Sequence, residues 1–210
     1  MSRRDANSEI SPELMLRAYA AGIFPMAKSK FAETVFWVDP RERGILPLDK
    51  FHIPKSLRKT VRQNRFDIRC DHAFSKTLEE CGRPTLGRRD TWINADIERC
   101  VNELHAMGFA HSVECWQDGK LVGGLYGISI GSAFFGESMF SRVADASKVA
   151  LVHLVARLKL GGFRLLDTQF VTDHLERFGV IEIPTRDYLV LLEDALKYQA
   201  VFPVGAHSAK

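Results

Sequence analysis

Residues 122–141, Val-Gly-Gly-Leu-Tyr-Gly-Ile-Ser-Ile-Gly-Ser-Ala-Phe-Phe-Gly-Glu-Ser-Met-Phe-Ser, constrain the chain more than any other stretch. Aromatic and β-branched side chains suit a pleated, half-buried surface, and interspersed glycines permit turns and close approaches, so the stretch reads as a β-hairpin. Its second strand is expected over residues 133–135, ending at Gly136-Glu137, with an apolar helix following over about 147–160. Glu137 stands among Phe134, Phe135, Met139 and Phe140, where a carboxylate is costly to bury without a partner. It is either a salt-bridged strand end, with Arg142 the nearby base, or a group that awaits a ligand.

The composition, 46% apolar and 26% charged, is that of an ordinary globular chain, with no apolar run long enough to span a membrane. The first nine residues are polar and do not resemble a signal peptide, so a cytoplasmic address is expected. Cys70, Cys81, Cys100 and Cys115 are scattered without a C-x-x-C pair and read as reduced, structural thiols. Cys70 with His72 is too small a set for a metal site, and none is expected. The net charge of +3 does not force nucleic-acid binding, but its distribution is uneven: Lys50, Lys55, Arg58, Lys59, Arg62, Arg65 and Arg69 face only Asp67.

In chain order, Ser11-Pro-Glu predicts a helix start, with Gly22 as its stop. Gly22-Ile-Phe-Pro-Met reads as an apolar turn, residues 35–38 as a strand and residues 44–48 as another, giving a small N-terminal domain over 1–48 and a larger domain over 49–210. Pro54 opens a helix with Leu57 and Val61 on one face and the bases elsewhere, an arrangement that can track phosphates or simply keep a surface solvated. A strand at 66–70, a helix at 73–81, a Gly/Pro/Arg-rich loop at 82–90 and a helix from Asn94 or Ala95 to about 107 follow. Asp118-Gly119 is a hairpin turn, and with the central hairpin it gives a run of four antiparallel strands. Residues 164–170 form a buried strand with Asp167 and Gln169 on one face, residues 181–184 close the sheet, and a last helix leads to a loose tail from about 201. The order is α+β, with a mostly antiparallel central sheet flanked by helices.

These motifs converge. Gly22-Ile-Phe-Pro, Trp37 with Asp39-Pro-Arg, Thr91-Trp-Ile, His111-Ser-Val-Glu, Phe135-Gly-Glu-Ser-Met-Phe-Ser, Ala146-Ser-Lys, Asp167-Thr-Gln and Glu182-Ile-Pro resemble those of the bacterial leucyl/phenylalanyl-tRNA-protein transferases. The resemblance spans about residues 11–196. It implies an acetyltransferase-like (GNAT) second domain that uses no coenzyme A and no other cofactor. It also implies transfer of Leu, Phe or Met from aminoacyl-tRNA to the α-amino group of proteins with N-terminal Arg or Lys, marking them for degradation, by a monomer that needs no membrane. The Gly-rich pyrophosphate loop of acyl-CoA users is absent between the hairpin and its helix, where residues 141–148 stand instead. Two features depart from the family: the N-terminus is short, and Thr168 replaces a common Cys on what should be the opposite face of its strand.

Within the resemblance each residue acquires a role. Glu137 would face the acceptor's amine or basic side chain, while Asp167 and Gln169 would orient the attacking nitrogen, Asp167 polarising Gln169 or relaying a proton. Phe134, Phe135, Met139 and Phe140, with Ser141 beside them, would surround the aminoacyl group, flexible Met accommodating Leu and Phe alike. Trp37 and Trp92 would stack on or fence the terminal adenosine. Lys55, Arg58, Lys59, Arg62 and Arg65 would hold acceptor-stem phosphates. Two other functions share parts of this pattern: a tRNA-binding module without catalysis, and an acyl-CoA N-acetyltransferase, which the missing pyrophosphate loop disfavours.

Overall fold

The computed structural model describes residues 10–84 and 90–205. The polar N-terminal stretch, the centre of the loop at 82–90 and the last five residues lie outside them. Helix α1 (Pro12–Ala20) starts as its sequence dictates: Ser11 Oγ accepts from Leu14 N at 3.2 Å, and Pro12 occupies the first turn, where no amide donor is needed. Its buried face, Met15, Ala18 and Tyr19, enters the core. The apolar stretch after Gly22 is more than a turn. Strand β1 (Phe24–Ala27) pairs antiparallel with β2 (Val35–Val38), and a two-stranded ribbon has only edges, so Pro25 is tolerated.

Among the described residues the main sheet has seven strands in the order β4-β5-β6-β7-β8-β3-β9. They are β4 (Asp67–Cys70), β5 (Ala110–Gln117), β6 (Lys120–Ile130), β7 (Ala133–Ser141), β8 (Leu165–Gln169), β3 (Glu42–Ile45) and β9 (Ile181–Pro184). Neighbours are antiparallel except β7 and β8, which are parallel and joined by helix α5 (Ala146–Leu160), as a parallel pair requires a crossover. Strand β3, which precedes the boundary expected at residue 48, lies between β8 and β9. Helices α1, α3 (Phe74–Cys81), α4 (Ala95–Ala106) and α7 (Thr185–Leu196) send residues such as Met15, Leu78, Leu104 and Leu192 into one core. Helix α5 and α2 (Lys55–Arg62) contribute to a second, with Leu57, Leu151 and Leu158. Gly179 follows a one-turn helix, α6 (Asp173–Glu176).

Three expectations are corrected. The four antiparallel strands of the middle are three, because β6 runs unbroken through its glycines. Those glycines make room rather than turns: a Cβ at Gly123 would meet Ala146 Cβ at 2.4 Å, and one at Gly127 would meet the Phe134 ring at 2.3 Å. Glu137 is consequently not at a strand end but inside the nine-residue β7. The C-terminal segment is packed as far as residue 205. Val201 N donates to Gly161 O at 3.1 Å, Phe202 stacks on His111 with ring centroids 4.4 Å apart, and Arg157 Nη2 donates to Gly205 O at 3.3 Å.

Candidate active site

Two β-bulges build the site. Between β6 and β7, Tyr126 pairs with Ser138 and Gly127 with Gly136, so Glu137 is the extra residue. Between β3 and β8, Gly44 pairs with Gln169 and Ile45 with Asp167, so Thr168 is the extra residue. A bulge breaks the two-residue alternation and re-aims the side chains beside it. That is why Thr168, expected on the opposite face from Gln169, joins it on the wall of the same cavity. Gln169 also has φ 56°, the left-handed region that a residue with a Cβ enters only at a cost.

Behind this strand end lies a buried polar frame. Arg43 Nε donates to both oxygens of Asp167 at 3.0 Å and Nη2 donates to Oδ2 at 2.6 Å, with both side chains fully buried. Tyr188 Oη donates to Asp167 Oδ2 at 2.6 Å and Gln169 N to Oδ1 at 2.7 Å. Arg43 Nη1 donates to Gly22 O at 2.9 Å, and the guanidinium lies 4.6 Å from the ring centroids of both Phe24 and Tyr188. At the far end of this network, Gln169 Nε2 donates to Glu137 Oε1 at 3.2 Å.

Glu137 holds its proton unusually tightly. Removal from water pushes its pKa up to about 8; the Tyr19 hydroxyl bonded to it and the more distant Arg43 pull the other way, and the charge of Asp167 adds to the rise. Burial raises the phenols of Tyr19 and Tyr188 as well, so both stay protonated donors. His174 is driven towards its neutral form, first by burial and then by Lys148 and Arg177.

Glu137 and Gln169 open onto a cavity of about 400 Å³. Its walls are mostly apolar, including Phe24, Met26, Trp92, Met139, Leu151, Leu154, Leu166 and Leu175, with Ser138, Thr168, Thr172 and His174 as polar points. An apolar hollow with a few convergent polar groups is the usual form of a small-ligand site. Among the described residues no group of three or more His, Cys, Asp and Glu side chains is placed to hold a metal ion.

Of the residues singled out from sequence, Glu137, Gln169, Met139 and Trp92 share this cavity, and Asp167 sits directly behind Gln169. Phe134, Phe135 and Phe140 are in the cores instead. Alternation along β7 before its bulge sends Phe134 to one face, against Phe163 and Phe202, and Phe135 to the other, 4.9 Å from Tyr19. Trp37 is half-buried on β2 opposite Pro25, outside the cavity lining. Ser141 is exposed and holds the turn into α5, donating to Val143 O at 2.8 Å and accepting from Ser147 N at 3.3 Å. Arg142 is the partner of Glu80, not of Glu137. Lys55, Arg58, Lys59 and Arg62 lie on the outer side of α2, with Arg65 just beyond, while Leu57 and Thr60 face inward. Sequence reasoning does not single out Arg43, Tyr19 or Tyr188. A signal exists for Tyr188, which lies on the stripe of Leu192 and Ala195, but Arg43 stands in a short polar segment that looks exposed.

With this geometry described, the relatives are informative. Residues 45–193 match the leucyl/phenylalanyl-tRNA protein transferase family, and residues 8–41 match the N-terminal domain of the same family. A leucyl/phenylalanyl-tRNA--protein transferase of Paramagnetospirillum magneticum is 61% identical over 94% of this chain and 94% of its own. Namesakes from Nitrobacter winogradskyi and Rhizorhabdus wittichii are each 58% identical, over 96% and 89% of this chain and 90% and 75% of theirs. Among solved structures, L-PGS from Bacillus licheniformis overlaps 83% of this chain and 66% of its own at 12% identity and a TM-score of 0.47, too low to establish a shared fold. Identities of this size over most of the chain, together with the family match, define an aminoacyltransferase. The chain belongs to the leucyl/phenylalanyl-tRNA protein transferase family. No helix among the described residues is long and apolar enough to cross a membrane.

Proposed function

We propose that the chain moves Leu or Phe from the 3′ end of aminoacyl-tRNA to the α-amino group of cytoplasmic proteins that begin with Arg or Lys, marking them for degradation. The observation that carries this reading is the meeting of Glu137 and Gln169 at the mouth of an apolar cavity. The esterified side chain enters the slot beside Met139, Leu151 and Leu154, and the terminal base lies against Trp92. The acceptor approaches as an ammonium ion. Ionised Glu137 attracts it, and because an α-amino group titrates near about 7.7–8.0 and Glu137 near about 8, the proton passes between them at little cost. The freed amine attacks the ester carbonyl. A C–N bond forms, the C–O bond to the ribose breaks, and the ribose oxygen leaves with a proton. The Gln169 amide positions the nitrogen and donates towards developing charge.

The bases on the outer side of α2, with Arg65, fit acceptor-stem phosphates. The crossover between parallel β7 and β8 is in keeping with a GNAT-like arrangement of the larger domain, with α1, β1 and β2 as the smaller one, and a monomer suffices for the site as built. The experiment is direct: purified protein is given tRNA charged with labelled Leu or Phe and an Arg-starting peptide. Label in the peptide supports the reading. No transfer beside an active control removes it.

A further inference from the structure

Asp167 has no room for another proton. Oδ1 accepts from Arg43 Nε and Gln169 N, and Oδ2 accepts from Arg43 Nε and Nη2 and from Tyr188 Oη, all between 2.6 and 3.0 Å. A proton arriving at either oxygen must displace a donor, two of which belong to a fully buried guanidinium that would be left uncompensated. A proton relay through this carboxylate is therefore the expensive option. Its hydrogen bonds do something else: they fasten the Gln169 amide N–H and so stabilise the left-handed backbone, φ 56°, that aims the Gln169 side chain at Glu137.

On the transfer reading proposed above, we infer that Arg43, supported by Tyr188, is a positioning residue for the reaction and that Asp167 is the anchor through which it acts. Arg43 reaches both substrates' sides. Through Asp167 it sets Gln169, and through Gly22 O and the face of Phe24 it sets a wall of the cavity. It thus fixes the gap between the esterified carbonyl and the incoming amine, a gap in which displacement of about 1 Å can cost about 100-fold in rate.

The test compares the full chain with Arg43→Gln, Asp167→Asn, the combined pair and Tyr188→Phe. The readouts are kcat and KM for an Arg-starting peptide and for charged tRNA, the melting temperature, and the Gln169 side-chain amide resonances, assigned by their loss in Gln169→Ala. Each single charge variant strands a buried charge, and kcat is expected to fall about 100-fold with KM for charged tRNA little changed. The combined pair is neutral and keeps amide bonding to Gln169 N, so it should regain about tenfold or more over either single variant. A pair that melts near the wild-type temperature yet is as inactive as Asp167→Asn overturns the anchor and restores the relay.

Where the single variants fail to fold, Tyr188→Phe decides. It keeps both charges and removes one hydrogen bond from Oδ2, so kcat should fall about 5–10-fold and the Gln169 amide signals should shift and exchange faster. Unchanged rate and unchanged signals overturn the proposal. If the wild-type chain transfers no label, the transfer reading falls, while the same amide signals still decide whether Arg43 and Tyr188 hold Gln169.

Discussion

The side-chain amide of Gln169 donates to Glu137 Oε1 across 3.2 Å, joining the extra residue of one β-bulge to the residue that follows the extra residue of another. Removing the charge at this junction while keeping the acceptor atom is the most telling substitution. On the proposed role of Glu137 as base, Glu137→Gln should lower kcat/KM for the acceptor peptide about 100-fold or more, since loss of a positioned base is worth about 10²–10⁴. KM for charged tRNA should stay within about threefold, as checked by steady-state kinetics with each substrate varied in turn.

The pH profile follows from the same group. In the unliganded enzyme Glu137 ionises at about 8 and the acceptor arrives as an ammonium ion, so kcat/KM for the peptide should rise with pH towards about 8 and fall above it as the free peptide loses its proton. Once the ammonium is bound, the carboxylate is stabilised and the apparent pKa read from kcat should be lower. Equal values from the two profiles would remove Glu137 as the group that meets the amine.

Stability carries the opposite sign. An unfolded glutamate titrates near about 4.3 and Glu137 in the fold near about 8, so between these values the folded protein holds a proton the unfolded chain has lost. The stability this proton confers is complete below about pH 4.3 and gone above about 8. Against Glu137→Gln, which cannot ionise, the wild-type melting temperature should therefore fall steadily between about pH 4.5 and 8, by scanning calorimetry in matched buffers. A constant offset would show that Glu137 is more open to water than its setting implies.

How much of this is legible in the sequence depends on the range of the forces. The cap of α1 at Ser11, the α4 stripe of Ile97, Val101 and Leu104, and the inward Leu57 of the basic helix are local matters of spacing, and spacing alone reveals them. The bulges at Glu137 and Thr168 are relations of register between strands, and nothing within β7 or β8 alone announces which residue is left over. For that reason the sequence pattern places Glu137 at a strand end and the family resemblance puts Phe134 and Phe135 along a pocket, whereas regular alternation buries the two phenylalanines on opposite faces. Arg43 cannot be recognised as buried without the carboxylate 124 residues later that compensates it.

The cavity wall predicts selectivity. Leu154 lies on the lining contributed by α5, and Leu154→Phe would fill part of the hollow of about 400 Å³. Transfer of Phe should fall about tenfold relative to transfer of Leu, since apolar discrimination of this size is worth about 1–3 kcal/mol. Competition between the two charged tRNAs in one reaction measures the ratio, and an unchanged ratio would place the aminoacyl group elsewhere.

The basic helix predicts a salt effect. Arg58→Glu with Lys59→Glu should weaken tRNA binding and flatten the log–log dependence of affinity on salt by about one for each phosphate no longer held. Filter binding across a salt series checks it, and an unaltered slope would take α2 out of the interface.

The position of β3 has a consequence for synthesis. Among the described residues it pairs only with β8 and β9, so while the ribosome is still making residues before 165, an already emerged strand carries unsatisfied backbone groups and Arg43 lacks the Asp167 carboxylate that compensates it. The early part of the nascent chain must wait for the late part. Any premature stop ahead of β8 releases a fragment with an open edge, a species for chaperones and proteases rather than a shortened enzyme.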